Sequence, residues 1–313
     1  MARIIRGCPA QGWGGRHWVV PILALLPLLA LLLAASPAGA AGIDVVDDTG
    51  ARFTLAQPAR RVVSLAPGAT EMLFAAGAGS RLVATVAYAD QPPAARRLPR
   101  IGDSSAIDME RLLALKPDVV VYWPGGNNPA QIAQLKRLGF MLYGQQVNRL
   151  ADLGASLRRL GRMTGTEAAA QRRATEIEDR LSQLRERYAR RAPLTALLET
   201  WNLPLYTVGG RQLMSDALTL CGAVNIFADL PQLSPAVQVE AVLARDPDLI
   251  IAAAPPGAGA QWLQDWRRFP SLKAVRLGNL LDFKDQALSR LGPSVVDATA
   301  SLCAQIDALR ARS

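Results

Sequence analysis

Apolar residues recur with helical spacing over about residues 164–191, in the middle of the chain. The steps alternate between four and three, which places these side chains on one side of a helix. The stripe consists of Ala170, Ala174, Ile177, Leu181, Leu184 and Tyr188. Thr164 followed by Glu167 matches a capping box and predicts where the helix begins. A long helix with one narrow apolar stripe is typical of an element that lies across the outside of a fold.

Two similar segments flank this helix. Glu110-Arg-Leu-Leu-Ala-Leu-Lys-Pro-Asp118 precedes it, and Glu240-Ala-Val-Leu-Ala-Arg-Asp-Pro-Asp248 follows it. Each predicts a short helix that ends before the proline, because proline lacks an N–H and disfavours helix in the preceding residue. Each continues into a run typical of a buried parallel strand. The self-similarity predicts an α/β fold with two similar lobes, parallel-type sheets and a long rigid helical spine between them.

The N-terminal pattern predicts export. Three arginines precede an apolar, leucine-rich run over residues 19–35, and Ala38-Gly39-Ala40 offers small residues for cleavage. We therefore expect a signal peptide over residues 1–40. An uncleaved membrane anchor is the alternative, since the apolar run is near the length that spans a bilayer. The remaining chain divides into an N-terminal lobe over 43–148, the spine over 149–192 and a C-terminal lobe over 193–313.

Cleavage changes the chemistry that the composition allows. It removes His17, the only histidine, and with it Ser-His-Asp and Cys-His catalytic pairs and histidine zinc sites. Cys221 and Cys303 remain, and an even pair in an exported chain predicts a disulfide, with two buried free thiols as the alternative. The net charge falls from +9 to +6 with three arginines. The basic residues cluster on the long helix, which favours a solvated helix face over nucleic-acid binding.

Several turns follow predicted strands at positions where α/β lobes bind ligands. A strand over 61–65 turns at Pro67-Gly68 into an apolar helix, which directs backbone N–H groups toward a possible ligand; an ordinary βα turn explains the same letters. Tyr88 follows a strand over 82–87, and Trp123 follows one over 119–122. A loop over 199–206 carries two further aromatic residues. An enzyme with paired carboxylates, such as Glu71 and Asp90, is a hypothesis of a different class.

The order of these motifs resembles the helical-backbone substrate-binding proteins of ABC importers. The segments that carry the resemblance are Ser64-Leu-Ala-Pro-Gly-Ala-Thr-Glu71, Tyr88-x-Asp-x-Pro-Pro93, the segment from Glu110 to Asp118, Trp123-Pro-Gly-Gly-Asn127 and Leu220-Cys-Gly-Ala-Val-Asn-Ile-Phe227. The resemblance implies a non-enzymatic periplasmic monomer with a ligand cleft between its lobes. It also implies partners, namely a permease and its ATPase at the inner membrane, and docking through Glu110 and Glu240.

Within this family the residues are most similar to members that bind corrinoids. The resemblance implies cobalamin, or a related corrinoid, as a transported ligand, with no cofactor and no bound metal. Ser104 and Ser234 stand where such members have tryptophan, and Thr200, beside Trp201, stands where they have another aromatic residue. The predicted ligand contacts are Pro67, Gly68, Tyr88, Ser104, Trp123, Thr200, Trp201, Ser234 and Arg290. Haem or a ferric siderophore is the alternative ligand, although haem favours an axial histidine or tyrosine.

Overall fold

In the computed structural model, two four-stranded parallel sheets with the same strand order form the core of the fold. The structure describes residues 42–103, 106–188 and 190–312, together with residues 10, 12, 14 and 15. The predicted cleavage site after Ala40, His17 and Ser104 lie outside the described residues. From Gly42 onward the chain forms one compact unit. Within the described part of the chain, no helix is both long enough and apolar enough to cross a membrane.

The first lobe contains an antiparallel hairpin and a parallel sheet. Its elements are β1 (Ile43–Val46), β2 (Arg52–Leu55), β3 (Val62–Ser64), α1 (Pro67–Ala75), β4 (Leu82–Ala84), α2 (Met109–Leu115), β5 (Val119–Tyr122), α3 (Pro129–Arg137) and β6 (Leu142–Gly144). Strands β1 and β2 pair with each other, and the sheet has the order β4-β3-β5-β6. The three residues Val119, Val120 and Val121 are fully buried, as expected for a central parallel strand covered on both faces.

Two helices connect the lobes, α4 (Leu153–Thr164) and α5 (Glu167–Tyr188). They pack side by side, because Gly165 adopts the left-handed conformation (φ +69°) and ends α4. The predicted apolar stripe is confirmed, since its six residues are the buried positions of α5. The predicted cap is wrong: Thr164 is the last residue of α4, and its hydroxyl donates to the Leu160 carbonyl instead (2.8 Å). Helix α5 contacts α1 of the first lobe.

The second lobe has the same sheet topology with additional helices. Its elements are β7 (Leu194–Glu199), β8 (Trp201–Asn202), β9 (Leu205–Tyr206), α6 (Leu213–Leu220), β10 (Ala223–Asn225), α7 (Val239–Arg245), β11 (Leu249–Ala252), α8 (Gly259–Trp266), α9 (Lys273–Arg276), β12 (Leu280–Asp282), α10 (Ala287–Arg290) and α11 (Val295–Arg310). The sheet order is β10-β7-β11-β12. In each lobe, the second strand of the parallel sheet (β4 or β10) therefore lies at the edge of the sheet, next to the first strand (β3 or β7). The loop predicted over 199–206 contains the short hairpin β8–β9.

The repeated Pro-Asp has the same structural role in both lobes. Asp118 Oδ2 accepts hydrogen bonds from the backbone N–H groups of Arg60 (2.7 Å) and Arg61 (2.8 Å), just before β3. Asp248 Oδ2 accepts from the N–H (2.9 Å) and the hydroxyl (2.7 Å) of Thr195 in β7. Each aspartate therefore joins the third strand of its sheet to the start of the first strand, which explains why the repeat preserves it.

The predicted disulfide is confirmed. Cys221 and Cys303 are bonded (S–S 2.02 Å) across 82 residues, and both are fully buried. The bond joins the residue after α6 to the middle of α11. It thus links the last helix of the chain to the helix that precedes β10 in the second lobe.

Candidate ligand-binding cleft

A cleft of about 460 Å³ lies at the carboxyl ends of β3, β5 and β6. Ligands bind at this edge of open α/β sheets. Segments of the second lobe around α10 form its other wall. The cleft is lined by Ala66, Pro67, Gly68, Ala69, Tyr88, Asp90, Trp123, Gln145, Gln146, Val147, Gln286, Ser289, Arg290 and Leu291. Five of the predicted ligand contacts therefore lie together, namely Pro67, Gly68, Tyr88, Trp123 and Arg290.

The turn from β3 into α1 forms the base of the cleft and touches the second lobe. Pro67 is the first residue of α1, where its fixed φ suits a helix start and no N–H is needed. Gly68 is required by close packing, because a Cβ at this position would lie 2.2 Å from the Arg290 carbonyl oxygen. The two lobes thus meet through backbone atoms beside the cleft.

Glu71 in α1 stabilises this contact between the lobes through hydrogen bonds. This carboxylate is 8% exposed and accepts hydrogen bonds from the N–H (2.6 Å) and the hydroxyl (3.0 Å) of Ser294, directly before α11. A carboxylate at a helix N-terminus is favourable because the unpaired N–H groups there carry partial positive charge. Asp90 pairs with Arg100 at 3.1 Å. Both carboxylates of the paired-carboxylate hypothesis are therefore held by structural partners.

Trp123 is held in place by its own loop. Its backbone N–H donates to Asn127 Oδ1 (2.7 Å), and the buried Asn127 side chain donates to the Leu65 carbonyl (2.9 Å). A Cβ at Gly126 would lie 2.0 Å from the Trp123 ring, so only glycine allows the ring to lie against this backbone. Trp123-Pro-Gly-Gly-Asn127 therefore fixes an indole at the end of β5.

Tyr88 is the most exposed aromatic residue that lines the cleft. Its side chain is 82% exposed and its backbone has φ +62°, a conformation that is unfavourable for a bulky residue. Arg100 supports this loop by donating from Nη1 to the Val86 (2.9 Å) and Ala89 (3.1 Å) carbonyls. Residues with an unfavourable backbone conformation are common at binding sites, and so are exposed aromatic rings. Tyr88 combines both features.

The segment after β6 was missed by the sequence reasoning. Gln145, Gln146 and Val147 line the cleft, and the hairpin between β1 and β2 holds them there. Asp47 Oδ2 accepts from the N–H of Gly144, the residue before this segment (2.8 Å), and Asp48 Oδ2 accepts from the Gln146 N–H (3.1 Å). The residues responsible are Asp47 and Asp48, whose partners lie 97 and 98 residues away, so no local pattern in the sequence could have indicated this segment.

Asp48 is the second carboxylate in this support, and its side chain is only 1% exposed. Burial raises its pKa, and hydrogen bonds from the Ser156 hydroxyl (2.6 Å) and from Arg159 Nε (2.9 Å) act in the opposite direction. The Arg159 guanidinium also forms a salt bridge to it at 2.8 Å. These contacts connect the cleft-lining segment to helix α4.

Arg290 supplies the positive charge of the cleft. It is the last residue of α10, and among the described residues its guanidinium has no hydrogen-bond or salt-bridge partner. The opposite wall presents the amides of Gln145 and Gln146. The described residues contain no cluster of three or more histidine, cysteine, aspartate or glutamate side chains that would hold a metal ion. The described residues of the cleft therefore combine flat aromatic faces, amides, the Arg290 guanidinium and the Asp90 carboxylate, which is paired with Arg100.

Comparison with known proteins identifies the family. Residues 62–287 match the periplasmic binding protein family. The chain belongs to this family. It is 34% identical to the vitamin B12-binding protein of Vibrio cholerae over 246 residues, which cover 79% of this chain and 88% of that protein.

Solved structures agree with this assignment. The crystal structure of the periplasmic vitamin B12-binding protein of Vibrio cholerae matches with a TM-score of 0.74 and 33% identity, covering 81% of this chain and 98% of that chain. The periplasmic haem-binding protein of a Roseiflexus species matches with a TM-score of 0.67 and 22% identity, covering 80% and 98%. The second match shows the shared fold of periplasmic binding proteins and nothing about the ligand.

Three predicted ligand contacts lie outside the residues that line the cleft. The Thr200 hydroxyl donates to the Tyr206 carbonyl (3.3 Å), and Ser234 is exposed on the loop before α7. Trp201 is 48% exposed, and its ring lies edge-on to Trp262 with centroids 6.0 Å apart. Their roles as ligand contacts stay predictions, as does that of Ser104.

The two glutamates predicted to dock onto a permease occupy equivalent positions. Glu110 is the second residue of α2, and Glu240 is the second residue of α7. Both are exposed, and neither has a salt-bridge partner in the described part of the chain. The repeat therefore presents one free carboxylate on each lobe of this periplasmic binding protein.

Proposed function

We propose that this protein is the periplasmic binding component of an ABC importer, which binds cobalamin or a related corrinoid and delivers it to a membrane permease. One observation carries the proposal. A chain that is 34% identical to a vitamin B12-binding protein, over 88% of that protein, places aromatic faces and amides around one cleft between its lobes. The role is binding and release, and corrinoid is cargo rather than cofactor.

The chemistry of the cleft suits a corrinoid. A corrin ring is wide and nearly planar, and its edge carries carboxamide groups. Trp123 and Tyr88 supply flat apolar faces, each able to cover a large area of such a ring. Gln146 and Arg290 supply polar groups at the periphery, where carboxamides need hydrogen-bond partners. This division between flat faces and a polar edge favours a corrinoid over a catecholate siderophore, whose several negative charges favour several clustered arginines.

Haem is the ligand that competes with this proposal. Tyr88 is the one tyrosine among the cleft-lining residues, and its exposed phenol is the one group there of a kind that ligates haem iron. No histidine lines the cleft within the described residues. Haem binding would therefore depend on Tyr88, whereas corrinoid binding would depend mainly on Trp123.

Titration of the purified protein tests the proposal. We expect one-to-one binding of cobalamin, weakened at least tenfold by Trp123→Ala, because burial of an aromatic side chain contributes about 1.5–3 kcal/mol and tenfold corresponds to about 1.4 kcal/mol. Leu138→Ala provides the comparison, since this exposed apolar side chain is not among the residues that line the cleft, and we expect it to change affinity less than twofold. Binding of haemin that is abolished by Tyr88→Phe, with no heat from cobalamin or cobinamide, would transfer the assignment to haem.

The partners and the location belong to the same proposal. The permease would contact Glu110 and Glu240, one on each lobe, and the ATPase would drive transport from the other side of the membrane. The support is the equivalence and exposure of the two carboxylates. The signal peptide would be removed near Ala40. N-terminal sequencing of protein isolated from the periplasm tests this, and retention of residues 1–40 would contradict it.

A further inference from the structure

One buried side-chain nitrogen among the described residues that line the cleft lacks a hydrogen-bond partner. Gln145 is 3% exposed, and its buried Nε2 has no hydrogen-bond acceptor among the described residues. The two other glutamines that line the cleft both have one: Gln146 Nε2 donates to Asn148 Oδ1 (3.1 Å), and Gln286 Nε2 donates to the Ala254 carbonyl (2.7 Å). Gln145 therefore differs from Gln146 and Gln286, because its side-chain N–H groups have no protein acceptor in the described part of the chain and can donate to a ligand.

The backbone around Gln145 is fixed on both sides. Its own N–H donates to the Tyr122 carbonyl (2.8 Å), which holds it beside the end of β5. The residue before it donates its N–H to Asp47 Oδ2 (2.8 Å), and the residue after it donates to Asp48 Oδ2 (3.1 Å). Asp47 is itself only 4% exposed. The backbone on both sides of Gln145 is thus held at the cleft by buried carboxylates.

An unpartnered buried amide is unfavourable for the ligand-free protein. Removing an amide N–H from water without a replacement acceptor costs free energy, and nearly all buried polar groups in native proteins are therefore paired. A ligand that provides an acceptor removes this cost. Asp90 is the one carboxylate among the described residues that line the cleft, and it pairs with Arg100 (3.1 Å) rather than accepting from Gln145.

We propose that Gln145 is a ligand-recognition residue whose side-chain N–H donates to an acceptor oxygen of the bound molecule. This inference rests on the proposed function, under which the acceptor is a carboxamide oxygen at the edge of the corrin ring. Gln145 then contributes to specificity for a ligand with acceptor oxygens at its edge. The ligand-free protein retains an unpaired N–H until the ligand binds.

The test compares affinity with stability in the same variants. Gln145→Met keeps the length of the side chain and removes the amide. We expect the dissociation constant for cobalamin to rise about 3- to 10-fold, the usual effect of one hydrogen bond. We expect the melting temperature of the ligand-free protein to rise by a few degrees, because an unpartnered polar group is lost. The control is Gln134→Met on the exposed face of α3, which is expected to change neither quantity.

Gln145→Glu separates donation from acceptance. It removes the N–H groups and keeps two oxygens, so we expect it to bind cobalamin no more tightly than Gln145→Met does. Wild-type affinity in Gln145→Glu would overturn the assignment of Gln145 as a donor. Wild-type affinity in Gln145→Met, or a complex in which Nε2 contacts only water, would overturn the inference while leaving the proposed function intact. Absence of cobalamin binding by the wild-type protein would overturn both.

Discussion

The two lobes share one topology and differ at the edge where the ligand is expected. In the first lobe, β3, β5 and β6 end in open turns that line the cleft of about 460 Å³. In the second lobe, the end of β7 is covered. Glu199 there is 2% exposed and accepts from Trp266 Nε1 (2.8 Å), and the nearby cavity is only about 70 Å³. The corresponding edge of the sheet is thus open in the first lobe and covered in the second.

The difference arises from segments that the repeat does not contain. The second lobe inserts α8 and α9 between β11 and β12, whereas the first lobe has the single helix α3 between the equivalent strands. Helix α8 brings Trp262 and Trp266 over the end of β7, and the hairpin β8–β9 places Trp201 beside them. The second lobe reaches the cleft only after β12, through residues around α10. The shared sheet topology therefore determines the framework of both lobes. The inserted segments determine which lobe exposes the carboxyl edge of its sheet.

Charge reversal would show whether the lobes remain equivalent on their outer surface. The double variant Glu110→Arg/Glu240→Arg should bind cobalamin normally and abolish transport, because truncating or reversing a charge in a desolvated contact costs about 2–5 kcal/mol or more. Each single reversal should give an intermediate loss. Transport by the cognate permease in reconstituted vesicles is the measurement.

The matched control reverses two glutamates on the exposed side of the spine. Glu167→Arg/Glu186→Arg carries the same change in charge on α5, and we expect it to transport at the wild-type rate. Full transport by the Glu110/Glu240 double variant would reject the docking proposal. Loss of transport from one single reversal only would reject the equivalence of the lobes.

The disulfide cross-links two distant segments of the second lobe. Among its described residues, the first lobe contains no disulfide. Cys221→Ser/Cys303→Ser should lower the free energy of unfolding by about 2–4 kcal/mol, since the bond restricts the unfolded chain. Urea denaturation measures this. Hydrogen exchange should accelerate in β10 and α11 more than in β3 and β5. Reduction of the wild-type protein should reproduce the shift, and equal loss of protection in both lobes would contradict a local role.

The closed edge of the second lobe should also be detectable in the pH dependence of stability. Burial raises the pKa of Glu199 from 4.5 to about 7, although the hydrogen bond from Trp266 acts in the opposite direction. The folded protein therefore holds a proton that the unfolded chain has lost, so this group's contribution to stability falls as pH rises from about 4.5 to about 7. The full effect is at most about 3 kcal/mol.

Glu199→Gln removes this titration and keeps an acceptor for Trp266. Compared with wild type, the variant should gain up to about 2–3 kcal/mol of unfolding free energy at pH 8 and little at pH 4. Asp48, whose pKa burial also raises, provides the internal comparison because it remains in both proteins. Parallel stability curves for wild type and variant from pH 4 to 8 would show that Glu199 does not titrate as described.

The sequence alone determined the framework. The repeat predicted two α/β lobes because each Pro-Asp ends a helix and starts a buried strand, and both effects are local. The stripe of α5 and the cysteine pair were equally readable, since helical periodicity and cysteine count do not depend on distant residues. Pro67, Gly68, Tyr88, Trp123 and Arg290 were predicted by their resemblance to a known family, and they lie together in the cleft.

Only the tertiary structure decided how the cleft is completed. Gln145 reaches it because Asp47 and Asp48 bind backbone N–H groups 97 and 98 residues away, and no local pattern in the sequence marks that pairing. Trp201 follows a strand of the second lobe as Trp123 does in the first, but its ring packs against Trp262 of α8 and is not among the residues that line the cleft. Its role as a ligand contact stays a prediction. Which loop faces a ligand depends on contacts between elements far apart in the chain. Periodicity and turn residues record only local preferences, so they cannot specify those contacts.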